Sequence, residues 1–154
     1  MNVVILGSGR TGVRLATAMQ NDGHIVTVID IDSDKTEVLA SRQQPVDETD
    51  GKPAITILKG DGTKDSLLEA ARIREADFFA ALTNDDNSNG LAALKARNTY
   101  QVMTVVAAIR SEDLGNVFES LGVACINPSA LAVESVLKNV PQVMRQEPAS
   151  PTGD

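Results

Sequence analysis

The chain has 154 residues, of which 42% are hydrophobic and 23% charged, the balance of one soluble, folded domain rather than of a disordered segment. A formal net charge of −7 with no Lys/Arg cluster argues against a nucleic-acid partner, whose phosphates require such a cluster. A single cysteine excludes an intrachain disulfide, and the lack of a basic-then-apolar amino terminus or of about 18 consecutive apolar residues leads us to expect a cytoplasmic protein.

The first predicted strand, VVIL over residues 3–6, runs directly into GSGRTG, three glycines at G-x-G-x-x-G spacing that open a helix over 11–21. Gly7 permits a tight turn, Gly9 lets the backbone approach a diphosphate, and Gly12 lets the helix pack closely on the sheet. Amides of Ser8, Arg10 and Thr11 then sit near the positive end of a helix dipole, where phosphate is stabilised. Arg10 stands at the mouth of this turn, either gripping a terminal phosphate or simply exposed at a helix start.

The second strand, 25–29, delivers Asp30 to its carboxyl end, where a carboxylate accepts hydrogen bonds from ribose hydroxyls. Ile31 and Asp32 follow. Asp32 puts a second negative charge where a 2′-phosphate would lie, which favours NAD over NADP. Lys35, in a helix over 34–42, either touches a phosphate or is solvated. Residues 43–53, acidic and with two prolines, read as a mobile loop. Then come a strand over 54–58, a helix over 64–72, a strand over 78–82, a helix over 86–98, a strand over 102–108, a helix over 111–120, a strand over 123–126 and a helix over 129–139. The helix after the fifth strand has Leu114, Val117, Phe118 and Leu121 at i, i+3, i+4, i+7, a face expected to meet the sheet. Residues 141–154 hold three prolines and few apolar side chains and read as a disordered tail after a single domain over 1–140.

Near-continuous apolar strands alternating with amphipathic helices indicate a mainly parallel α/β sheet, buried on both faces. Right-handed crossovers give a doubly wound, six-stranded, Rossmann-like fold of order 3-2-1-4-5-6, with ligand expected beyond the strand ends between strands 1 and 4. Catalytic residues are not expected. His24 precedes the second strand, at the opposite end of the sheet from that crevice. Tyr100 lacks a lysine four residues on, and Asp85 and Asp86 read as the first turn of a helix. Cys125, in VACI, reads as a core side chain.

With GSGRTG and DID joined by GDGTKDSLLEAARIREADFFAALTNDDNSN over 60–89, the chain resembles the RCK family, the regulator of K⁺ conductance domain, also called the KTN or TrkA N-terminal domain. The resemblance runs through Gly60-Asp61-Gly62-Thr63, Ala71, Ile73, Thr83 and Asn89 to INPSALA over 126–132, and covers residues 1 to about 138. It implies a cytoplasmic nucleotide-binding regulatory subunit that docks on an integral-membrane K⁺ channel or transporter pore subunit. Such subunits are homo-oligomeric, as dimers or octameric rings, and ligand exchange reshapes the ring. It assigns phosphates to Gly7–Gly12, ribose to Asp30, the adenine edge to Asp61 and Gly62, and the distal phosphate or second nucleoside to Thr83 and Asn84. NAD(H) and ADP/ATP both fit this pattern. The chain departs from it at Ala108, where many members carry an arginine, and at Ser129, where members that bind ATP with a divalent ion carry glutamate, so no metal site is expected. No companion C-terminal domain is expected either. Apolar residues on more than one face of 88–96, and Leu131, Val133, Val136 and Leu137 on the last helix, suggest a surface covered by a second chain. An NAD-dependent oxidoreductase, or a fragment of one, is the alternative reading.

Overall fold

A computed structural model describes residues 1–32, 34 and 54–140. Lys35, most of the helix expected over 34–42, the loop expected over 43–53 and the tail expected over 141–154 lie outside the described residues. Six strands form one sheet: β1 (Asn2–Leu6), β2 (Ile25–Asp30), β3 (Thr56–Lys59), β4 (Phe78–Ala81), β5 (Thr104–Ala108) and β6 (Ala124–Ile126). Every pairing is parallel, and the order is β3-β2-β1-β4-β5-β6, as the sequence pattern predicts.

The described helices are α1 (Arg10–Asn21), α2 (Asp65–Ala70), α3 (Asp86–Leu94), α4 (Glu112–Ser120) and α5 (Pro128–Asn139). A short 3₁₀ turn, Ile73–Glu75, follows α2, and α3 continues into a wider π turn, Lys95–Thr99. The helix expected over 64–72 thus ends early, because Arg72 takes a left-handed φ of 58°.

Alternation along the strands divides the core between two faces. Val3 and Ile5 of β1 join Val26 and Val28 of β2 under Ala16 of α1. Val4 and Leu6 face the other way, joining Phe79, Ala81, Ala92, Ala93, Val105 and Ala107 beneath α2 and α3. A side chain such as Phe79, fully buried, contributes roughly 1.5–3 kcal/mol by leaving water. On α4 the expected face is only half covered. Leu114 and Phe118 pack on the core, whereas Val117 and Leu121 are about half exposed, because the helix lies over the short edge strand β6. The whole of α5 has no buried residue.

The register aligns the carboxyl ends of the central strands. Leu6 pairs with Ile29 on one side and Ala81 on the other. The backbone continues the ladder just past the strands, with Gly7 N donating to Ile29 O at 2.7 Å, Gly60 N to Asp30 O at 2.8 Å and Leu82 N to Leu6 O at 2.7 Å. Four loops therefore leave the sheet at one level, on either side of the point where strand order reverses.

Candidate functional site

These loops enclose a cleft of about 360 Å³ lined by Leu6, Gly7, Gly9, Asp30, Ile31, Gly60, Asp61, Gly62, Thr63, Leu82, Thr83, Asn84, Asp85 and Ser88. The glycine turn forms one wall. Gly7 has φ of +105°, and a Cβ there would meet the Leu82 carbonyl carbon at 2.9 Å. A methyl on Gly12 would overlap the Gly7 carbonyl oxygen, so this residue seals α1 against the turn. A Cβ on Gly9 would meet nothing within 4 Å. Its bare backbone faces open space, as a cradle for a ligand requires.

Gly9 is also the N-cap of α1, and it supplies no side-chain cap; nor is there an acidic residue in the first turn. By contrast Asp85, Ser111 and Asn127 cap α3, α4 and α5 with their side chains. The start of α1 therefore combines a positive dipole end with amides that no side chain caps, which fits a bound phosphate.

Asp30 is 8% exposed and fastens this wall to the next. Its Oδ2 accepts from Ser8 N at 2.5 Å and Ser8 Oγ at 2.8 Å, while Oδ1 accepts from Asp32 N at 2.9 Å. Across the cleft, Asp61 Oδ1 accepts from Thr63 N at 2.9 Å and from Thr63 Oγ1 at 2.7 Å. Those bonds, with Lys64 and Lys95 nearby, hold the Asp61 carboxyl below the usual aspartate range and keep it an acceptor.

The third wall is built by Asn89, which is fully buried. Its Oδ1 accepts from Thr83 N at 3.0 Å and Thr83 Oγ1 at 2.6 Å, and its Nδ2 donates to Thr83 O at 3.1 Å and Ala108 O at 2.8 Å. One amide thus ties the ends of β4 and β5 together. Asp86 reinforces the join, accepting from Arg110 N, Ser111 N and Arg110 Nη1 at 2.8, 2.9 and 3.1 Å.

Of the residues expected at the site, Gly7, Gly9, Asp30, Ile31, Asp61, Gly62, Thr83 and Asn84 line one cleft. Ser8 is buried and turned onto Asp30, and Gly12 lies under the turn rather than on the cleft surface. Arg10 and Thr11 are exposed at the helix start and do not line the cleft. Asp32 also stands off it, its carboxylate accepting from Asp34 N at 3.0 Å. Sequence reasoning missed Arg110. Although Ala108 carries no charge, the guanidinium two residues on reaches Thr83 O and Asn84 Oδ1, both at 3.3 Å. The signal was present in the run Ala107-Ala108-Ile109-Arg110, whose one charged side chain stands two residues past the position where many family members carry an arginine. Asp85, another lining residue, caps α3 by accepting from Ser88 N at 2.6 Å. Among the described residues no three His, Cys, Asp or Glu side chains gather in a way that could hold a metal ion.

Comparison with known proteins agrees with this architecture. The family model of the TrkA-N domain matches residues 3–128. The Trk system potassium uptake protein TrkA of Streptomyces coelicolor is 34% identical over 140 residues, which is 91% of this chain and 58% of that protein. The chain thus spans little more than half the length of that relative. The fold matches the TrkA-N domain of the inner membrane protein YbaL from Escherichia coli with a TM-score of 0.76 at 13% identity, covering 91% of this chain and 96% of that one. It also matches the GsuK channel bound to NAD with a TM-score of 0.61 at 19% identity, covering 81% of this chain and 21% of that one.

Proposed function

The chain belongs to the TrkA-N domain family, and from that membership and the cleft geometry we propose that it is a nucleotide-binding regulatory module of a membrane K⁺ transport system. The observation that carries the proposal is the uncapped start of α1, whose N-cap Gly9 is open and lines the same crevice as Asp30 and Asp61. In this reading the Gly7–Gly12 turn holds a diphosphate, Asp30 a ribose, Asp61 and Gly62 an adenine edge, and Thr83 with Asn84 the distal phosphate or second nucleoside. Arg110 adds positive charge at that last end. NAD(H) and ADP or ATP are the ligand classes, and NAD bound to the GsuK channel is the precedent for the first.

The module acts by binding and exchange rather than by turnover. His24, just before β2, is at the amino end of the strands, opposite the cleft, where it contacts the Met1 amino group. Tyr100 is nearly buried beneath Arg74, whose guanidinium carbon lies 5.0 Å from the ring centre. Neither offers a proton to a substrate in the cleft. Among the described residues no helix is long and apolar enough to cross a membrane. In this reading the module acts at the bilayer through a contact with a pore subunit. The TrkA relatives named for potassium uptake support that partner. Homo-oligomers carry the ligand's effect to the pore.

Calorimetric titration tests the site. NADH or ADP should bind the wild-type chain, and Asp30→Ala should weaken binding by about 1–3 kcal/mol, the penalty for leaving ribose hydroxyls or their partners unpaired. Identical isotherms for the two proteins would remove Asp30 from the ribose contact. Steady oxidation of NADH with added carbonyl compounds would favour an enzyme instead.

A further inference from the structure

Lys95 lies in none of the walls of the cleft, yet its side chain crosses to one of them. Its Nζ donates to Thr63 O at 2.8 Å and to Asp65 Oδ1 at 2.9 Å, joining residues some thirty positions apart in the chain. The lysine side chain is 27% exposed, against 61% for Asp65. A charge-assisted bond to a carbonyl in such a place exceeds an ordinary surface ion pair in strength.

Its own anchorage is unusual. At Lys95 the α3 helix widens into the π turn, so that Tyr100 N donates to Lys95 O at 3.0 Å, five residues back. Single π turns of this kind recur at functional sites. Tyr100, at the end of the turn, is 7% exposed, and burial first and then the nearby Asp65 carboxylate push its phenol above the usual tyrosine range. The two ends of the widened turn therefore lie beside one carboxylate, to which the lysine is bonded.

We propose that Lys95 is a positioning residue for the adenine half of the ligand, holding the Gly60–Thr63 turn in the geometry that presents Asp61 and Gly62 to the cleft. This rests on reading the cleft as an adenine nucleotide site. Asp61 Oδ1 takes both its hydrogen bonds from Thr63, through that residue's amide and hydroxyl, while Lys64 Nζ lies 3.8 Å from Oδ2. Lys95 in turn holds the carbonyl of Thr63. Without the ammonium, the Thr63 peptide loses its tether to α3, and the acceptor that reads the adenine amino group moves with it.

Adenine and hypoxanthine differ at that edge, the first presenting an amino donor and the second a carbonyl acceptor, so AMP and IMP report on the geometry of Asp61. In calorimetry the wild-type chain should bind AMP more tightly than IMP. Lys95→Met should lose about tenfold in AMP affinity, the scale of one charge-assisted hydrogen bond, and its AMP:IMP ratio should collapse towards one. Lys95→Arg, which keeps a cation within reach of both oxygens, should retain the ratio. A general loosening of the fold would weaken AMP and IMP alike and leave the ratio intact, and that result overturns the inference. So do unchanged AMP affinity in Lys95→Met, loss of the ratio in Lys95→Arg, and equal wild-type affinity for the two nucleotides. If the wild-type chain binds neither AMP nor NADH, the nucleotide reading itself falls, and the inference with it.

Discussion

At the scale of single residues, Asn89 is the most constrained polar group in the cleft wall. Its amide uses both donors and accepts twice, and it has no exposure to solvent. Aspartate has the same shape but no donors at neutral pH, so Asn89→Asp would set a carboxylate against the carbonyls of Thr83 and Ala108. Urea unfolding should register a loss of about 3 kcal/mol, combining unpaired acceptors with a buried charge. A loss below about 0.5 kcal/mol, the range of neutral surface changes, would mean that this amide does not hold β4 to β5. Asp30 was legible in the sequence because its distance from the glycine turn is set by one βα unit. The contacts of Lys95 and Arg110 were not, since they join residues 17 to 32 positions apart and leave no local periodicity. Asn89 belongs to the family resemblance, but its pairing with Ala108 needed the register of β4 against β5.

At the scale of elements, hydrophobic runs located every described strand, while the ends moved where backbone geometry intervened. The strand expected over 54–58 is Thr56–Lys59, since pairing with β2 begins at Thr27 opposite Thr56. Ile55, just before it, is instead buried in the core. The helices show what a periodic pattern leaves open. On α4 the i, i+3, i+4, i+7 face is apolar throughout, yet Val117 and Leu121 remain half exposed. On α5, Leu131, Val133, Val136 and Leu137 are each about half exposed or more. Apolar surface left open on these two helices is the kind that a docked chain would cover. The family resemblance expects a second copy of this chain to cover it. Sedimentation velocity should therefore find a wild-type dimer, and a monomer when Val136→Glu and Leu137→Glu are combined, with NADH affinity retained. A monomeric wild type at every concentration tested would contradict that assembly.

At the scale of the whole molecule, strand order followed from two general rules, right-handed crossovers and a buried parallel sheet. The same rules put the ligand where the order reverses. They say nothing of which nucleotide enters, because that depends on charges at the cleft rim and on loop positions that the fold class leaves free. The carboxylates of Asp30, Asp61 and Asp85 line the cleft, and its described lining contains no lysine or arginine. The start of α1 at one end, and Arg110 on Thr83 and Asn84 at the other, are the features that favour an anion there. The most direct test is a crystal structure determined with saturating NADH. We expect the diphosphate over the amides that follow Gly9, one ribose on Asp30 and the adenine beside Asp61. A vacant crevice, or a cofactor bound elsewhere on the molecule, would contradict the account.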